Sequence, residues 1–187
     1  PSRKWWPGFA SDEPGEFYSP ADVAVDDAGN IFVADFGNDR VQILDSRGQF
    51  KGLVDESFRF AGPHALGFLD GRLCVTDQDG TRCRVYDVRS GEAQFLRELP
   101  PLVDADRAVA SGTDKIYVCG GDVKAKAAGI LVYTPQGETA VFDHAGTEGI
   151  MGKFYRPRGM YLYRGGERDM LYFVNEFPFD VGSYKME

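Results

Sequence analysis

Histidine and cysteine are scarce in this chain of 187 residues, which has only His64 and His144, with Cys74, Cys83 and Cys119. The cysteines show no CxxC or other zinc-like spacing, which argues against a structural metal site. Cys74 and Cys83 fall on neighbouring predicted strands, close enough to bridge, but buried thiols are the simpler expectation. Positive charge is also short. The 21 Lys and Arg stand against 29 Asp and Glu, giving a formal net charge of -8 and a pI of about 4.8. Such a surface repels phosphate backbones and anionic headgroups, so nucleic acid is not an expected partner. Apolar runs such as Gly129-Ile130-Leu131-Val132-Tyr133 are too short to cross a bilayer, no signal peptide is visible, and membrane insertion is not expected. Gly-x-Ser-x-Gly, His-Glu-x-x-His and a Gly-rich phosphate loop are all missing, so no catalytic constellation stands out.

What the chain has in quantity is apolar and turn-forming residues: 43% hydrophobic, 13% aromatic, 23 Gly and 10 Pro. That mixture suits an all-β protein with short strands. It is also repetitive. Ile31-Phe32-Val33-Ala34-Asp35, Leu73-Cys74-Val75-Thr76-Asp77 and Ile116-Tyr117-Val118-Cys119-Gly120 recur at about 42 to 43 residues, the length of one four-stranded propeller blade. A fourth copy, Leu171-Tyr172-Phe173-Val174-Asn175, comes later than the period predicts. We ascribe the excess to a loop insertion at 122–128 and a longer connection at 146–156. The lead-in Gly15-Glu16-Phe17-Tyr18-Ser19-Pro20 returns as Gly152-Lys153-Phe154-Tyr155-Arg156-Pro157.

The pattern predicts a single domain over 1–187, with blades at roughly 20–55, 63–99, 106–144 and 157–187. Blade four lacks an outer strand in this reading, and the segment Lys4-Trp5-Trp6-Pro7-Gly8-Phe9, within 1–19, serves as closing strand or cap. A blade alone cannot hide two apolar faces, so stacking must bury alternate residues such as Val23, Val25, Ile31, Val33, Val41 and Ile43.

Residues Pro20, Val23-Ala24-Val25-Asp26, Gly29-Asn30-Ile31-Phe32-Val33-Ala34-Asp35, Asn38 and Arg40-Val41-Gln42 closely resemble the NHL repeat. The resemblance implies a β-propeller, ordinarily of six blades, of which about four are visible here. Blade order is similar to the later part of the peptidyl-α-hydroxyglycine α-amidating lyases. In those enzymes, histidines after a Pro at the start of several innermost strands converge on a metal. Here Pro63-His64 fits that place, but Ala21, Arg158 and roughly Arg107 stand at the others, and His144 lies at the end of an outer strand. Zinc catalysis needs three converging ligands, and two arginines beside one histidine repel a cation. Gln78 also stands where the lyases carry an arginine. The resemblance therefore implies the fold without the metal set. We expect no cofactor and no catalytic residue, and a metal at His64 only if the lyase alternative holds.

The expected function is a non-catalytic scaffold that binds a protein partner or joins a larger complex, with a metal-dependent lyase or hydrolase as the alternative. His64, Arg107 and Arg158 are expected near the entrance of the axial channel, where they would meet an anion such as a partner's carboxylate. The competing reading pairs the arginines with acids such as Asp22, Asp104 or Asp106. Trp5, Trp6, Phe177 and Phe179 are candidate partner contacts or the packing where the ends of the array meet, and Lys124 and Lys126 lie in an expected exposed basic loop. Repeated Asp35 and Asp77 are expected to cap the turns that follow them, and Asn38 with Arg40 to bridge strands or blades.

Overall fold

Short apolar stretches alternating with Asp and Gly turns force the chain to double back every few residues, and the structure is a succession of such reversals. The computed structural model describes residues 11–77, 81–99, 103–111, 115–122, 127–133, 139–142, 150–151, 157–163, 170–175 and 181–185. The first sheet holds β1 (Asp22–Val25), β2 (Ile31–Asp35), β3 (Arg40–Leu44) and β4 (Phe50–Leu53). The second holds β5 (Ala65–Leu69), β6 (Arg72–Asp77), β7 (Arg82–Asp87) and β8 (Gln94–Glu98). The third holds β9 (Val103–Ser111), β10 (Lys115–Asp122), β11 (Ala127–Tyr133) and β12 (Thr139–Phe142). Each is an antiparallel meander in chain order.

The fourth sheet departs from that order. It runs β14 (Pro157–Tyr163), β15 (Met170–Asn175) and β16 (Val181–Lys185), and its outermost strand is β13 (Ile150–Met151), which pairs with β16. The expectation that blade four lacks an outer strand is therefore corrected: part of the long connection at 146–156 supplies one. The closing role expected of 4–9 falls outside the described residues. The 122–128 insertion also differs from expectation. Asp122 pairs with Ala127 and Gly121 with Ala128, so both ends of it lengthen β10 and β11, while 123–126 lie outside the described residues.

Turn chemistry explains the hairpins. Asp26 Oδ1 accepts the backbone N–H groups of Ala28 and Asn30 at 3.0 and 2.7 Å, and Gly29 takes a φ of +82° that a side chain would resist. Asp45 repeats the device between β3 and β4, accepting from Arg47 and Gln49 at 2.9 and 2.8 Å.

The sheets stack by first strands, with contacts joining β1 to β5, β5 to β9 and β9 to β14. Between the first two sheets, Ala24, Phe32, Ala34, Val41 and Ile43 meet Leu66, Leu73, Val75 and Tyr86. Between the second and third, Cys74, Cys83 and Val85 meet Ile116, Val118 and Tyr133. One face of each blade thus covers the opposite face of the next, at about 1.5–3 kcal/mol for each large apolar side chain buried. Cys74 and Cys83 are free, fully buried thiols in the second layer. A hydrogen bond to Cys74, then burial, pushes the Cys83 thiol well above its ordinary value.

Candidate functional site

In the first two blades the buried charges lie beside the segment by which the chain enters the blade. Asp35 closes β2 and is fully buried. Its Oδ1 accepts the Tyr18 backbone N–H at 2.7 Å. Its Oδ2 takes Asn38 Nδ2 at 2.8 Å, Arg40 Nε at 2.8 Å and Gln42 Nε2 at 3.0 Å. The same three side chains then grip the lead-in segment 11–18. Arg40 donates to the carbonyls of Asp12, Glu13 and Glu16, and Asn38 donates to that of Ser11. Gln42 donates to the Glu16 carbonyl at 2.7 Å and accepts from Gly15 N–H at 2.9 Å. Asp35 makes no side-chain capping bond to the 3-10 turn Phe36–Asn38 that follows it, and meets that turn only through the Asn38 side chain. The expected turn-capping role is thus corrected, because the carboxylate is already filled by donors from β3 and the lead-in segment. Asn38 and Arg40 do bridge, tying the blade to 11–16.

Asp77 repeats the arrangement with fewer partners among the described residues. It is buried at the end of β6, takes Arg82 Nε and Nη2 at 3.0 Å each, and accepts Ala61 N–H from the next lead-in segment at 3.2 Å. Burial raises its carboxyl above the ordinary value, opposed by the Ala61 N–H and the Arg82 guanidinium. Where blade one has Gln42, blade two has Arg84, which turns to Asp55 at 3.0 Å and lies between the rings of Phe58 and Phe95, 3.6 and 4.1 Å from their centroids. Beside it the Tyr86 hydroxyl is raised by burial. Sequence reasoning missed this cluster and the role of Gln42. The signal for both was a polar residue at an inward position of an alternating strand.

The register places the expected channel ring. His64 immediately precedes β5; its N–H donates to the Thr76 carbonyl at 2.8 Å, as Ala21 N–H donates to that of Ala34. The His64 ring is half-buried, edge-on to Phe36 at 6.2 Å between centroids. Arg107 pairs with Cys119, which puts it level with Ala65 and Asp22, one step beyond His64. Arg158 falls in the bulge between Pro157 and Gly159 at the start of β14. His64 and Arg158 thus lie at the starts of first strands, whereas Arg107 lies in the middle of β9, which begins at Val103. At the Arg107 level in blade one, Asp22 Oδ2 accepts Leu66 N–H at 2.9 Å and links two innermost strands directly. Trp5, Trp6, Gln78, Lys124, Lys126, His144, Phe177 and Phe179 lie outside the described residues.

At the opposite ends of these strands, an open cleft of about 520 Å³ lies between the first two blades, with Asp26, Asn30, Lys51, Phe68, Asp70 and Arg89 among its lining. Its polar groups are engaged locally: Asn30 with Asp26, Lys51 with Asn30, and Arg89 with Asp87. Among the described residues no group of three or more His, Cys, Asp or Glu could hold a metal ion.

Four-stranded meanders stacked by their first strands define a β-propeller. Residues 17–44, which contain the Asp35 hub, match the NHL repeat. It is 34% identical over 76 residues to human NHL repeat-containing protein 3, covering 40% of this chain and 22% of that protein. It is 29% identical over 150 residues to the probable peptidyl-α-hydroxyglycine α-amidating lyase of Caenorhabditis elegans, covering 67% of this chain and 42% of the lyase. The chain thus spans well under half the length of either relative. Among solved structures, Kuenenia stuttgartiensis hydrazine synthase superposes with a TM-score of 0.57 at 16% identity, over 98% of this chain and 52% of its own, a likeness of fold alone.

Proposed function

We propose that the protein is a binding scaffold, a set of NHL blades that holds its loops for another protein or a larger assembly and performs no chemistry itself. The observation that carries this reading is the engagement of the buried carboxylates. Asp35 and Asp77, the acids best placed by repetition and burial to act as base or ligand, are bonded to Arg, Asn, Gln and backbone donors that hold the lead-in segments. A carboxylate satisfied in this way is a structural anchor. His64, Arg107 and Arg158 are then the recognition residues, offering donors and positive charge to a partner's carboxylate side chain or chain terminus. Trp5, Trp6, Phe177, Phe179, Lys124 and Lys126 add contacts outside that ring.

Affinity capture from the native cell, comparing the unaltered protein with His64→Ala/Arg107→Ala/Arg158→Ala, tests the reading. A partner should be recovered with the first and lost with the second at unchanged thermal stability. A protein that always runs alone overturns it. The lyase reading is second, supported by the 29% identity over 150 residues and by Pro63-His64 at the head of a first strand. Stoichiometric zinc or calcium in the purified protein, with turnover of a peptidyl-α-hydroxyglycine, moves the assignment there.

A further inference from the structure

The segment that leaves β4 crosses from blade one to blade two before His64 opens β5, and it runs beside the turn at 36–39 of blade one. Phe60 and Pro63 are buried along it, while Arg59 and Ala61 are exposed. Three bonds fix its course. Asp77 Oδ2 accepts Ala61 N–H at 3.2 Å, Asp39 Oδ1 accepts Gly62 N–H at 3.0 Å, and Asp39 Oδ2 takes Arg59 Nη2 at 3.1 Å. The turn is held as firmly: Gly37 N–H donates to the Tyr18 carbonyl at 2.8 Å, and Asp39 sits at a φ of +55°.

On this seam stands one aromatic ring that the fold does not cover. Phe36 is 41% exposed, although both walls of the seam belong to an interior junction between two blades. Its ring lies on Gly62, where an added Cβ would stand 2.8 Å from Phe36 Cε2, and it meets the His64 ring edge-on. A ring fixed in this way has already lost its freedom, so a partner that covers it gains apolar area at little further entropic cost. Donors flank it. The half-buried His64 lies on one side, and Arg59, its side chain 82% exposed, uses Nη2 on Asp39 and has further N–H groups to give.

We propose that the seam takes an extended, acidic segment of the partner in which a carboxylate side chain and a large apolar residue stand two positions apart. The apolar residue covers Phe36 and the carboxylate accepts from His64, while Arg59 takes a second acid further along. Spacing supports the pair: same-face residues of an extended strand lie about 6.6 Å apart, and the Phe36 and His64 ring centroids are 6.2 Å apart. Charge supports the acids. The chain carries a net charge of -8, so an acidic segment is repelled by the surface at large and received where His64 and Arg59 flank the ring. Donors on both sides of Phe36 call for an internal stretch of chain, not a terminus. The inference rests on the binding reading above and names the chemistry of the partner.

A random peptide library displayed on phage and panned against the unaltered protein gives the test. Enriched peptides should share an Asp or Glu two positions from a large apolar residue. A synthetic peptide of that consensus should lose at least about tenfold in affinity with Phe36→Ala, and less with Arg59→Gln, at unchanged melting. Serine in place of the peptide's apolar residue should weaken binding to the unaltered protein equally and cost nothing more in Phe36→Ala, a coupling that misfolding does not produce. No enriched peptide, a consensus without the pair, or losses that merely add overturn the inference. A cellular partner that needs His64 but binds Phe36→Ala unchanged overturns it while the binding reading stands. A dimer of this chain that Phe36→Ala dissociates also overturns it, by placing a second copy on the seam.

Discussion

The first two blades hold the same acid at the same place and surround it differently. Among the described residues, Asp35 is met by three side chains and one backbone N–H, Asp77 by one arginine and one backbone N–H. The residue that blade two lacks at its hub, the equivalent of Gln42, has become Arg84 and serves Asp55 instead, linking the end of blade one to β7. An NHL-type blade therefore keeps its lead-in segment as long as its carboxylate retains one cation and one backbone donor. The fuller signature of blade one adds grip on the chain.

The largest effect comes from removing the hubs. Asp35→Ala strands Arg40, Gln42 and the Tyr18 N–H together and should cost about 3–5 kcal/mol, the scale of a broken buried ion pair. Asp77→Ala leaves Arg82, whose side chain is partly exposed, and one backbone N–H, and should cost about 1–3 kcal/mol. Urea unfolding of both variants measures the gap, and equal losses would break the comparison.

A smaller effect sharpens it. Gly37 lies under the lead-in segment of blade one, where an added Cβ would stand 2.5 Å from Tyr18 Cδ1 and 2.7 Å from the Tyr18 carbonyl oxygen. Gly37→Ala should cost about 1–3 kcal/mol, because backbone must move. Gly52 in β4 has nothing within 4 Å of an added Cβ, so Gly52→Ala should be neutral or slightly stabilising. Thermal melts of the pair separate damage at the lead-in segment from a general intolerance of alanine.

Blade number and strand order were legible because alternation and Asp/Gly turns are local signals, and Ile31 to Asp35 carried the register almost alone. The outer strand of the fourth sheet was not legible. Ile150–Met151 is two residues long and precedes the blade it completes, and so short a strand has no period to read. The hubs were half legible. Repetition marked Asp35 and Asp77 as structural, but their backbone donors, Tyr18 and Ala61, lie in the preceding lead-in segments, and pairing across such distances leaves no pattern in sequence. His64, Arg107 and Arg158 were expected at the starts of first strands, but β9 begins four residues before Arg107, and the irregular pairing in β9 and β14 is something no spacing rule anticipates.

The smallest expected effect concerns the turns after the third strands, where Asp45 and Asp87 occupy equivalent positions. Both carboxyls lie below their ordinary value for different reasons. Backbone N–H groups, that of Gln49 first, hold down Asp45, whereas the Arg89 guanidinium and then the Arg89 N–H bring Asp87 to about 2. A depressed folded value stabilises above the unfolded pKa, so the Asp87 contribution is complete above the ordinary carboxyl value of 3.8 and is lost as pH falls from there toward about 2. The turn is exposed, so salt screens the guanidinium while the fixed amides beside Asp45 keep their geometry. Carboxyl titration by NMR should therefore show Asp87 rising with added salt and in Arg89→Gln, with Asp45 nearly still. An Asp87 midpoint insensitive to both changes would mean that the backbone turn alone sets it, as it does in blade one.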